Sequence, residues 1–124
     1  MELYEYIGGE ATIRKIVDAF YPKVLAHPML APIFPEDVEP LIEKQYLFLT
    51  QFFGGPPLYT DQHGNPMMRA RHSPFPITKN RAEAWLDCMQ RTLEEVISSK
   101  EVRAIILDRL KGPAYFFVNK EGEE

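Results

Sequence analysis

Apolar residues recur at Ile13, Ile16, Val17, Phe20 and Val24, with Leu25 beside the last. That is close to the i, i+3, i+4, i+7 spacing of a helix with one buried face, and it predicts a helix from about Glu10 to Ala26. Tyr21 lies at the edge of this face, four residues before Leu25. Pro22 falls inside the pattern, removes one intrahelical hydrogen bond and is expected to bend the helix near Tyr21. Ahead of it, Glu2 to Ile7 makes one or two helical turns. Gly8-Gly9 closes them, because glycine accepts the positive φ of a helix end. His27-Pro28 closes the long helix, Leu30 to Phe34 reads as a short apolar connection, and Pro35-Glu36-Asp37 as a turn.

A second helix is expected from Pro40, a residue welcome in a first helical turn, to about Phe53. Its stripe is Leu41, Phe48, Leu49 and Phe52, and it stops at Gly54-Gly55-Pro56-Pro57. Gln45 falls on the same stripe, where an amide must find a partner or cost free energy. Leu58 to Ala70 has no clear period and reads as loop, with one helical turn at Met67 to Ala70. It is long for a plain connection in so small a domain, which points to a functional loop. Thr78 caps a third helix from Lys79 to about Ser98, with Ala82, Trp85, Leu86, Met89, Leu93, Val96 and Ile97 inward. Ser99 caps the last, Lys100 to about Asn119, with Val102, Ile106, Leu110, Ala114 and Phe117 inward and a kink at Gly112-Pro113. The end of the chain, 119–124, is a charged, frayed tail. The expected class is all-α in one domain spanning 1–124, with two antiparallel helix pairs stacked on each other.

Composition narrows the partners. The 124 residues are 45% hydrophobic and 26% charged, an ordinary globular balance. A net charge of −4 argues against nucleic acid, which needs a basic face. One cysteine, Cys88, allows no internal disulfide, and its helical position between Asp87 and Met89 suits a core thiol better than a nucleophile. Neither a secretory signal nor a run of ~20 apolar residues is found, so a cytoplasmic protein with no membrane contact is expected. Phosphate-cradling glycines, HExxH and zinc-type Cys/His spacing are missing too.

The three histidines differ in setting. His27 reads as a helix-end residue and His63 as an exposed turn residue. His72 sits in Arg69-Ala70-Arg71-His72-Ser73-Pro74-Phe75-Pro76, behind two arginines and before two prolines that forbid a long helix. It is a candidate axial ligand of a haem iron, against the commoner fate of a structural histidine. Tyr21, Gln45 and Trp85 are hydrogen-bond donors on otherwise apolar faces, able to shape the far side of such a pocket or simply to be satisfied in a core. Gln45 is the hardest to explain by packing. Arg69, Arg71 and Lys44 are candidates to neutralise two propionates, or plain surface charges.

A longer set of short motifs runs along nearly the whole chain: Gly8-Gly9, Phe20-Tyr21, His27-Pro28, Ile33-Phe34-Pro35, Phe48-Leu49-Thr50-Gln51, Gly54-Gly55-Pro56, Arg69-Ala70-Arg71-His72, Pro74-Phe75 and Ala84-Trp85-Leu86. In this order and spacing the chain resembles the truncated haemoglobins, and among them the second group. The resemblance implies a globin-like two-over-two helical sandwich around a pocket for haem b. It implies His72 as the proximal metal ligand, Tyr21 as a distal tyrosine, Trp85 as a distal tryptophan and Gln45 as a polar distal residue. Leu41 matches the distal gate, and is apolar where relatives often carry a small or polar residue. Phe34 matches an aromatic position at the haem edge, and Lys44, Tyr59 and Arg71 match positions on the propionate side. Pro22 and Pro113 depart from the pattern.

The expected function is reversible oxygen binding, tight and slow to release, at a pentacoordinate or water-ligated iron. The expectation leans to an oxygen-binding or carrier protein over an enzyme, with peroxidase-like side activity left open. It would take dioxygen or other diatomic ligands, with a reductase as a candidate partner, as monomer or homodimer. Two alternatives stand beside it: a haem-based redox enzyme, peroxidase-like or a nitric oxide dioxygenase, and a cofactor-free helical interaction module.

Overall fold

The computed structural model describes residues 2–34, 37–63 and 78–116. Every regular element among them is helical: α1 (Leu3–Tyr6), α2 (Gly9–Ala26), a 3-10 turn (Ala31–Ile33), α3 (Glu39–Phe52), α4 (Leu58–His63), α5 (Lys79–Val96) and α6 (Lys100–Phe116). No helix among the described residues is long and apolar enough to cross a membrane.

The join between α1 and α2 works as its glycines require. Gly8 has φ 116° and Gly9 φ 67°, a left-handed backbone that side chains resist. α2 then buries Ile13, Ile16, Val17, Phe20, Tyr21 and Val24. Leu25 does not join them and is 39% exposed. Twelve residues of helix rotate it about 120° from Ile13, whereas Val24 returns to within about 20°. α2 runs through Pro22 as one element, which proline allows at the cost of one backbone hydrogen bond.

α3 begins at Glu39, one residue before the expected start, and the Asp37 carboxylate accepts from the Glu39 N–H at 3.2 Å. Its buried set is Tyr46, Leu47, Phe48, Leu49 and Thr50, while Leu41 and Phe52 are only half-buried. A single stripe underestimates this helix because α3 is covered on two sides, by α2 and by α4. Arg14 lies over the Tyr46 ring, 3.8 Å from its centroid, and bonds Glu43 at 3.3 Å.

The stretch after Pro57, expected to be loop, forms α4 instead. The caps of the last two helices are as expected. The Thr78 hydroxyl accepts from Arg81 N–H at 3.1 Å, and the Ser99 hydroxyl from Val102 N–H at 3.2 Å. α5 ends at Val96 rather than Ser98, and α6 continues through Gly112 and Pro113 to Phe116. Cys88 is buried, as a core thiol should be.

α2 packs against α3 on one side and α5 on the other, and α5 pairs with α6. The result is two helix pairs stacked through the α2–α5 contact, the two-over-two arrangement. Fully enclosed Phe20, Ile13, Leu49, Met89, Leu93 and Ile106 form its centre, each contributing roughly 1.5–3 kcal/mol by leaving water. At one end α1 hooks onto the corner after α3: Tyr4 N–H donates to the Phe53 carbonyl at 2.8 Å. A Cβ on Gly55 would stand 2.8 Å from both the Tyr4 ring and the Thr50 carbonyl, so only glycine fits under that ring.

The expected helical turn at 67–70, the segment holding Arg69, Arg71 and His72, the turn residues 35–36, Phe117 and the tail lie outside the described residues, as does the side chain of His63.

Candidate functional site

Tyr21 and Trp85 come together through a ring that the sequence reading assigned only to the core. Phe20 is fully buried and meets the Tyr21 ring edge-on, centroids 5.3 Å apart at 85°. It meets Trp85 in the same manner at 5.0 Å and 70°. Phe34, on the connection after α2, closes on the other side of Tyr21 at 6.3 Å and 88°. Edge-to-face packing of this kind fixes ring directions as well as burying area. Two adjacent residues of α2 therefore carry different tasks. Phe20 reaches α5, and Tyr21 turns toward Phe34.

Tyr21 is 6% exposed, and burial pushes its phenol well above the usual tyrosine range. Neither a charge nor a side-chain hydrogen bond contributes to that shift. Among the described residues its hydroxyl has no hydrogen-bond partner. The side-chain oxygen both shut away from solvent and left without a partner among the described residues is instead that of Thr50, on α3. Trp85 is half-buried between the buried Ala84 and Leu86.

The other candidates lie on α3 and α4. Leu41, Lys44 and Gln45 are all half-buried on α3. Tyr59 is buried on α4, its ring edge-on to Phe48 at 6.2 Å and 84°, and Phe48 stacks on Phe52 at 5.3 Å and 24°. The described residues thus hold two aromatic groups, one around Tyr21 and one around Phe48. Tyr21, Phe34 and Trp85 share the first, and Tyr59 belongs to the second. Gln45 stands on α3, half-buried, and His72 and Arg71 lie outside the described residues.

Residues of this kind fit haem, a large flat apolar ring. The walls offered are aromatic and aliphatic, and among them stands a buried phenol, Tyr21, for which no hydrogen bond is found among the described residues. A different recess, about 540 Å³ and open to solvent, lies at the far end of α2 between Lys23, His27 and Arg91. Its cations are already tied, Lys23 to Glu95 at 2.8 Å and Arg91 to Asp87 at 2.5 Å. His27 Nδ1 accepts from Met29 N–H at 3.1 Å, holding the turn that leads toward Phe34.

Comparison with known proteins agrees with this architecture. The bacterial-like globin family model matches residues 2–118. The group 2 truncated hemoglobin YjbI of Bacillus subtilis (strain 168) is 50% identical over 121 residues, covering 98% of this chain and 91% of its own. Among solved structures, the group II truncated hemoglobin of Bacillus anthracis superposes with a TM-score of 0.94 at 48% identity, covering 98% of this chain and 99% of that one. The truncated oxygen-avid haemoglobin of Bacillus subtilis follows with a TM-score of 0.90 at 50% identity, covering 96% of this chain and 100% of that one. The chain belongs to the bacterial-like globins, within the group II truncated haemoglobins, and so to a family of haem-binding proteins.

Proposed function

We propose that this globin holds haem b with His72 as the axial ligand and binds dioxygen tightly, with Tyr21, Trp85 and Gln45 as donors on the opposite side. Haem supplies the iron that takes a diatomic ligand and passes electron density to it. The observation that carries the reading is the buried Tyr21 phenol, held edge-on by Phe20 and Phe34 and with no hydrogen bond found for it among the described residues.

That hydroxyl keeps its proton throughout the neutral range, because burial disfavours the phenolate. It is therefore always a donor. An acceptor of partial negative charge beside it would take that proton's hydrogen bond, and a dry, low-dielectric setting strengthens such a bond. Phe20 and Phe34 hold the Tyr21 ring from two sides, so little orientation is lost when it donates. Trp85 adds its indole N–H from α5, and Gln45 its amide from α3. Leu41 supplies no donor at the gate, which leaves retention to these three. Phe34 would pack against the edge of the haem ring, and Lys44, Tyr59 and Arg71 would neutralise its propionates or bond to them. One relative of 50% identity is itself described as oxygen-avid, which supports slow release here.

Stopped-flow displacement of oxygen from the ferrous protein tests the proposal. Tyr21→Phe should release oxygen on the order of tenfold faster than the parent, the factor one buried hydrogen bond supplies. Equal release rates would remove Tyr21 from the role.

A further inference from the structure

α4 lacks the means to cap itself. Its first residue is Leu58, and the residue before it, Pro57, has no side-chain acceptor, although its carbonyl takes the Asp61 N–H at 3.0 Å. A helix start leaves backbone N–H groups unpaired, and these are usually met by a Ser, Thr, Asp or Asn at that position. Here the acceptor comes from another helix. Gln51 Oε1, on α3, accepts from the Thr60 backbone N–H at 2.9 Å, and Gln51 Nε2 donates to the Thr60 hydroxyl at 2.8 Å. Both bonds end on the third residue of α4, so the amide acts as a cap supplied across the Gly54-Gly55-Pro56-Pro57 corner. Two bonds to one residue fix direction as well as distance.

The neighbour of Thr60 is Tyr59, which is buried on Phe48 and which the proposed function places on the propionate side. We infer that Gln51 is a positioning residue for the cofactor: through its paired bonds to Thr60 it sets the first turn of α4, and with it the place of Tyr59. The inference rests on the haem reading above. Gln51 itself does not touch the cofactor in this scheme.

The test uses the full chain loaded with haemin, and follows haemin loss to an excess of scavenging apoglobin. Gln51→Leu, near in volume but without either bond, should lose haemin about fivefold faster, the factor expected for one lost cap. Thr60→Ala, which keeps the N–H and loses the hydroxyl, should show a smaller change in the same direction. Gln51→Glu should restore slow loss, because a carboxylate accepts from the Thr60 N–H while the Thr60 hydroxyl turns to donate. Ile106→Val, a core change in α6, controls for general softening and should leave haemin loss near the parent rate. The inference is overturned if Gln51→Leu loses haemin no faster than the parent or than Ile106→Val, or if Gln51→Glu fails to restore it. A parent chain that takes up no haemin at all is a different result, and it defeats the haem reading itself.

Discussion

Phe20 and Trp85 meet edge-to-face across the α2–α5 contact, ring centroids 5.0 Å apart. The same Phe20 ring supports Tyr21, so one enclosed side chain links the helix stack to both candidate donors. Phe20→Ala should therefore cost about 3–5 kcal/mol, the range for a large aromatic lost from a closed core. Urea denaturation measures it. A loss below about 1 kcal/mol would mean that the α2–α5 seam does not depend on this ring.

Tyr21→Phe separates stability from ligand retention. The hydroxyl has no partner among the described residues, so its removal should leave the unfolding free energy of the cofactor-free chain unchanged or slightly raised. A drop of about 1 kcal/mol or more in the same urea assay would show that the hydroxyl is paired within the protein.

Alkali should weaken the fold from two buried acids. Burial raises the Cys88 thiol above its ordinary value, with Asp87 adding to the effect and Arg91 and Lys23 opposing it. Burial alone raises the Tyr21 phenol. In both cases the folded state favours the protonated form. Above the unfolded values, about 8.5 for a thiol and about 10 for a phenol, the folded chain holds more protons than the unfolded one. Stability is thus full at neutral pH and falls as pH rises beyond those values. Urea midpoints from about pH 7 to about pH 10 should decline, and Cys88→Ala should flatten the first part of the decline. A midpoint that holds or rises contradicts the assignment.

Gly55 offers a backbone test. An alanine there drives its Cβ against the Thr50 carbonyl and the Tyr4 ring, neither of which can move without disturbing the corner. Gly55→Ala should destabilise by about 1–3 kcal/mol, the cost of overpacking. Tyr4→Ala, made in the same background, should recover only part of the loss, since the carbonyl remains.

Much of this fold is legible in the residues themselves. The α2 face, both caps at Thr78 and Ser99, and the inward side of α5 follow from periodicity and from short polar residues at helix starts. α4 is not legible locally, because the residue that caps it stands nine positions earlier on another helix. The burial of Tyr46 and Leu47 escapes a one-stripe reading, since α3 is covered by two neighbours. Of the site, Tyr21, Phe34 and Trp85 are joined through ring contacts made by Phe20 and Tyr21. The bridging ring of Phe20 is hidden from the sequence, where it reads as one more apolar position on the α2 face.

The most direct measurement is the absorbance spectrum of the purified chain titrated with haemin, set beside that of His72→Ala. The account predicts a saturable Soret band at one haemin per chain in the parent, and a weakened or shifted band, with iron ligation lost, in the variant. A parent protein that stays colourless, or a variant whose ferric and ferrous spectra match the parent's, would contradict it.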